Sequence, residues 1–77
     1  MTIKMYTTPL CKYCKAAKEF FRSKGISFVE IDITKDRSAM KEMIKKSRQM
    51  AVPVFDIDGQ ILIGFNQARI QKALKVA

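Results

Sequence analysis

Histidine and tryptophan are absent from this 77-residue chain, and only two cysteines, two prolines, three glycines and seven acidic residues are present. Each scarcity narrows the function. A four-coordinate zinc site needs four ligands, and two cysteines without a histidine could complete one only with carboxylates or a second subunit. An iron–sulfur cluster shared between subunits, with thiolates from Cys11 of each and added small thiols, meets the same shortage but stays open, as a non-enzymatic cluster-carrier alternative. A small secreted fold held by disulfides normally carries more than two cysteines, whereas one C-x-x-C pair in a cytosolic chain points to redox or metal chemistry. No run of about 18 apolar residues is present to span a bilayer, and the opening MTIKMYTT lacks the apolar stretch of a secretory signal. The expected location is the cytoplasm, with no membrane partner. No linker, repeat or low-complexity stretch interrupts the chain, so residues 1–77 are expected to form one domain with a modest core.

The acidic deficit leaves a formal net charge of +8 and a pI near 9.8. Such a balance favours nucleic acid, anionic lipid, or small or protein substrates bearing carboxylates. The 15 basic residues are nevertheless spread along the chain, without a block of five and with little interleaving of aromatics. That distribution argues against nucleic acid and leaves a solvated basic surface as the plain alternative.

Hydrophobic periodicity divides the chain into seven elements. Ile3 to Tyr6 is β-prone and ends at Thr7-Thr8-Pro9, since a residue before proline avoids the helical region. From Cys11 to about residue 24, Cys14, Ala17, Phe20 and Phe21 recur at helical spacing opposite Lys12, Lys15, Lys18, Glu19 and Arg22, and Gly25 supplies a stop. Phe28 to Ile33 alternates, with Val29, Ile31 and Ile33 on one face. This strand–helix–strand unit calls for parallel strands and a right-handed crossover. Asp36 or Thr34 can cap a second helix through about Arg48, with Met40, Met43, Ile44 and Ser47 as the buried stripe. Met5, Met40, Met43 and Met50 fit flexible core filling. Val54 to Ile57 and Gln60 to Ile63 flank Asp58-Gly59, a pair suited to a type I′ hairpin because both positions need positive φ. Asn66 caps a last helix with Ile70, Ala73, Leu74 and Ala77 inward.

The chemistry converges on YTTPLCKYCKAAKEFF, residues 6–21. Cys11 stands where a strand gives way to a helix, so free N–H groups and the positive helix end favour its thiolate, with Lys12 and Lys15 adding charge of the same sense. A thiolate attacks a disulfide where a thiol barely does. Cys14, one turn on and facing inward with Ala17, can reach the Cys11 sulfur and is less exposed to outside disulfides. Cys11 is therefore expected to attack and Cys14 to resolve the mixed disulfide. Pro53 opens a strand after Val52; physics alone favours the ordinary trans bond.

Taken together, YTTPLCKYC, AVPVF and DIDGQILIGFN resemble the glutaredoxins and glutaredoxin-like redoxins over nearly the whole chain. The resemblance implies an α/β minimal thioredoxin fold, a four-stranded mixed sheet flanked by three helices in the order βαβαββα. It implies Cys11 and Cys14 as catalytic residues, and a cis Val52-Pro53 bond whose Val52 N–H and C=O clamp glutathione or a peptide. Lys12, Tyr13, Gly64, Phe65 and Asn66 join Val52 and Pro53 as candidate substrate or glutathione contacts, Tyr13 matching the tyrosine of the family's C-P-Y-C. No bound cofactor or metal is required for exchange. The implied partners are disulfide-containing proteins, glutathione as co-substrate, and a glutathione or thioredoxin reductase system, with the protein acting as a monomer. Three departures stand out. Lys12 replaces the usual proline. IGFNQA replaces the glycine pair and two aspartates that hold the glutathione γ-glutamyl group, and is closer to redoxins that supply ribonucleotide reductase and are recharged by thioredoxin reductase. Leu10 stands where thioredoxin has its tryptophan.

Overall fold

The computed structural model describes residues 2–76, with Val76 described by its backbone alone. Seven elements follow in the order β1 (Ile3–Thr7), α1 (Lys12–Ser23), β2 (Val29–Asp32), α2 (Arg37–Ser47), β3 (Val54–Ile57), β4 (Gln60–Ile63) and α3 (Gln67–Val76). The four strands form one mixed sheet in the order β2-β1-β3-β4. β1 runs parallel to β2 and antiparallel to β3, and β3 and β4 form a hairpin. This is the expected βαβαββα architecture. No helix among the described residues is long and apolar enough to cross a membrane.

The strands' two-residue alternation sends side chains to two cores. Ile3 and Met5 of β1, with Phe55 and Ile57 of β3 and Leu62 of β4, pack against Ala17, Phe20 and Phe21 of α1 and Ile70 and Ala73 of α3. Tyr6 and Val54 point the opposite way, onto Ile33 and onto Ala39 and Met43 of α2. The helices therefore cover both faces, as a sheet with apolar residues on each side requires. Ring edges lock the first core: Phe21 stands edge-on to Phe20 and Phe55, at centroid distances of 5.7 and 5.8 Å.

Local chemistry explains the boundaries. Cys11 is the N-cap of α1 rather than its first residue. Asp36, not Thr34, caps α2, its carboxylate accepting the Ala39 N–H at 3.1 Å. Thr34 instead donates its own N–H and hydroxyl to Asp32. Asp58 and Gly59 both have positive φ, 50° and 91°, as a type I′ turn demands. The amide oxygen of Asn66 accepts from the Arg69 N–H at 3.1 Å and starts α3.

Three expected core positions are corrected. Val29 is exposed although it shares a face with Ile31 and Ile33: β2 is an edge strand, and α2 starts beside Ile33 and crosses toward Asp56 of β3, leaving the far end of β2 uncovered. Ile44 is also exposed, because α2 seats only the row Ala39, Met43 and Ser47 on the sheet. Met50 is 61% exposed, while Met5 and Met43 fill the cores as expected and Met40 is half-buried. Ala77 lies outside the described residues.

Candidate active site

Strand direction assembles the site. β1 delivers Thr7, and then Cys11, to the same sheet edge at which β3 begins with Val54 opposite Tyr6 and β4 ends with Ile63 opposite Val54. The parallel β2 also ends there, Asp32 opposite Thr7. The loops carrying Cys11, Val52-Pro53 and Gly64–Asn66 are thus brought together by register, although 53 residues of sequence separate the first from Gly64.

Cys11 and Cys14 differ in every respect that governs thiol chemistry. Both are free thiols, Cys11 partly exposed and Cys14 buried. As N-cap, Cys11 keeps an extended backbone, and its sulfur accepts the Cys14 N–H at 3.1 Å. This backbone donor, one of those left free at a helix start, points at the sulfur that would carry negative charge. Cys14 is held in the opposite state. Burial pushes its thiol up to about 11, and the hydrogen bond with Cys11 adds to this, while the Thr7 hydroxyl and the Thr8 backbone pull the other way. The solvent-facing sulfur is thus reachable and faces a backbone N–H donor, while the inner one is held as a buried thiol, the division of labour that attack and resolution require.

Lys12 and Tyr13 of the first turn of α1 are exposed, Tyr13 at 68%. Pro53 is buried and the Val52-Pro53 peptide is cis. Val52 precedes β3, and among the described residues no hydrogen bond engages its N–H or C=O within the protein. Gly64, with φ of 79°, donates its N–H to the Pro53 carbonyl at 2.8 Å and ties the two loops together. Phe65 is half-buried, its ring 6.0 Å from that of Phe20. Asn66 is exposed, but its amide oxygen is occupied in capping α3. Among the described residues, no three histidine, cysteine or acidic side chains gather where they could hold a metal ion.

Sequence reasoning missed three contributors. Thr7 is a buried hydroxyl beside Cys14; the clue was the alternation Ile3, Met5, Thr7, which sets a polar residue at an inward position next to the dithiol. Leu10 and Met50 are exposed apolar side chains flanking the Cys11 and Val52 loops; composition places Met50 in the core, and Leu10 enters the sequence reading only as the residue at the thioredoxin tryptophan position.

A family model for glutaredoxin matches residues 3–62, a span from β1 through most of β4. The chain is 45% identical over 73 residues to a glutaredoxin-like 8.6 kDa protein of a rubredoxin operon in Clostridium pasteurianum, covering 95% of this chain and 97% of that one. It is 40% identical over 62 residues to glutaredoxin 3 of Escherichia coli K12, covering 80% and 75%. The solved structure of the glutaredoxin-like NrdH-redoxin from Escherichia coli superposes with a TM-score of 0.82 at 25% identity, covering 94% of this chain and 93% of that one. With its dithiol at the edge of a thioredoxin-fold sheet, the chain belongs to the glutaredoxin family and is a thiol redoxin.

Proposed function

We propose that this protein is a dithiol oxidoreductase that reduces protein disulfides and glutathione mixed disulfides, with Cys11 as nucleophile and Cys14 as resolving thiol. The observation that carries the reading is the asymmetry of the pair: the Cys14 N–H directed at the Cys11 sulfur, and the Cys14 side chain buried behind it. In the first step the Cys11 thiolate attacks one sulfur of the substrate disulfide. The substrate S–S bond breaks, its other sulfur leaves as a thiolate and takes up a proton, and a mixed disulfide remains on Cys11. Cys14 then gives up its proton and attacks the Cys11 sulfur; the second substrate sulfur leaves, and a Cys11–Cys14 disulfide forms. Two electrons have passed from the dithiol to the substrate. Two glutathione thiols return them, supplying two protons and becoming glutathione disulfide. The unpaired Val52 N–H and C=O support the capture of an extended substrate backbone beside Cys11.

A second electron donor, a thioredoxin reductase, is favoured by two observations. The Asn66 amide oxygen, a neutral acceptor, already takes one hydrogen bond in the α3 cap, and no carboxylate lies in the first turn of α3 to receive the glutathione amino group. The NrdH-redoxin that this chain resembles is described as having a thioredoxin-like activity profile. The deciding experiment measures turnover of a glutathionylated peptide with glutathione and glutathione reductase, beside insulin disulfide reduction with NADPH and thioredoxin reductase. Turnover in the first assay supports glutathione coupling; turnover only in the second moves the protein to the thioredoxin-reductase-dependent redoxins.

A further inference from the structure

Most of the positive charge has no acidic partner in the fold. Among the described residues, Lys18 and Lys46 are the basic side chains held in ion pairs, with Glu30 and with Glu42 and Asp56. At the sheet edge that carries the thiols, four exposed cations stand outside any ion pair: Lys12 and Lys15 beside Cys11, and Lys35 and Arg37 where β2 passes into α2. Two carboxylates share that edge: Asp32 accepts the Thr34 N–H and hydroxyl and feels the nearby charge of Lys35 without an ion pair to it, and Asp36 accepts the Ala39 N–H. Within this cationic rim lie apolar side chains open to solvent, Leu10 at 94%, Tyr13 at 68% and Met50 at 61%.

We infer that the preferred disulfide partner is an acidic polypeptide segment, with aspartate or glutamate on both sides of its cysteine and an apolar residue close to it. This rests on the thiol–disulfide exchange proposed above and names its substrate class. The exposed apolar side chains beside the thiol favour a polypeptide over a small thiol such as glutathione, which carries no apolar residue to cover them. The exposed Leu10 and Met50 next to the thiol favour a polypeptide over a polynucleotide, whose backbone would satisfy the cations but leave those side chains in contact with phosphate and sugar. Charges at this distance from the reacting sulfur act mainly on encounter, so they raise the association rate and do so less as salt rises.

The test uses the pre-reduced full chain in single turnover against three disulfide peptides of equal length, their cystine flanked by glutamate, glutamine or lysine. At low salt the glutamate peptide should react about tenfold faster than the glutamine peptide, and the lysine peptide more slowly still, with the differences collapsing near 0.5 M NaCl. Equal rates for all three would overturn the inference while leaving the exchange reaction intact; no reaction with any of them would instead refute the proposed function. In the double variant Lys35→Glu, Arg37→Glu the advantage of the glutamate peptide should shrink toward unity, and the ratio of rates from one sample does not depend on how much of it is folded. Saturable binding of a random oligonucleotide at the same salt, with no discrimination among the peptides, would assign the rim to nucleic acid and overturn the inference as well.

Discussion

Thiols separated by two residues become chemically different here because one caps a helix in contact with solvent and the other enters the core in its first turn. At pH 7, iodoacetamide should modify Cys11 well before Cys14, which mass spectrometry of the peptides will show; the reverse order would exchange their roles. Cys14→Ser should still form a mixed disulfide with glutathione but accumulate it, whereas Cys11→Ser should fall to background in both electron-donor assays. The raised Cys14 thiol sets the pH dependence of resolution. Burial, the largest cause of its value near 11 in the free dithiol, remains when Cys11 carries the mixed disulfide, so the Cys14 thiolate fraction grows about tenfold per pH unit through the neutral range. Release of the mixed disulfide, followed by stopped flow, should therefore accelerate steeply from pH 7 to 9. The same shift has a stability consequence. A thiol whose folded value lies above its ordinary 9.0 contributes stability below that value and loses it as pH rises toward 11, so the reduced protein should melt at progressively lower temperature above pH 9.

Among the elements, α2 is held as much by polar contacts as by apolar ones. Its apolar anchors are Ala39 and Met43, and the buried Ser47 hydroxyl donates to the Met43 carbonyl at 2.8 Å. Beside them Lys46 reaches Asp56 of β3 at 2.8 Å and Glu42 at 2.9 Å, and the buried Tyr6 donates its hydroxyl to Glu42 at 2.5 Å. The Tyr6 hydrogen bond, and then Lys46, draw the Glu42 carboxyl from its ordinary 4.5 to about 2. Its contribution is therefore complete above about pH 4.5 and lost as pH falls through 2, and solvent screening keeps it small at this half-exposed site. Lys46→Met should cost more, about 1–3 kcal/mol, because it strands the largely buried Asp56 carboxylate without its cation. In a domain of this size that corresponds to a fall in melting temperature of roughly 4–8 °C per kcal/mol. Gly59→Ala tests the hairpin by backbone alone. An added Cβ meets nothing within 4 Å, so the φ of 91° is the whole obstacle, and chemical denaturation should register a loss of about 1 kcal/mol.

For the whole molecule, β1 and β3 form the centre, each with a strand on either side and a helix layer over each face. Amide hydrogen exchange should be slowest in Met5, Tyr6 and Phe55 and faster in α2, whose polar attachments open without exposing the larger core. Much of this arrangement was legible in the chain. Seven elements could be placed to within a residue or two because caps, turn pairs and apolar spacing are local. Asp36, Asn66 and Asp58-Gly59 act on their own neighbours and need no tertiary context. The dithiol was equally legible, since a C-x-x-C at a strand-to-helix junction carries its helix-end chemistry with it. Three features were decided only by the fold. Val29 and Ile44 are apolar residues on the correct face that no partner covers, because strand order and the crossing path of α2 determine which part of a face is shielded. The tie between the Gly64 N–H and the Pro53 carbonyl joins two loops of the site through a contact that no local pattern specifies. The cationic rim arises because the parallel pairing of β1 with β2 brings residues 12 and 35 to one edge. Local periodicity depends on neighbours a few bonds away, and so it is written in the sequence; which surfaces face one another depends on contacts between residues far apart in the chain, and only the packed structure specifies them.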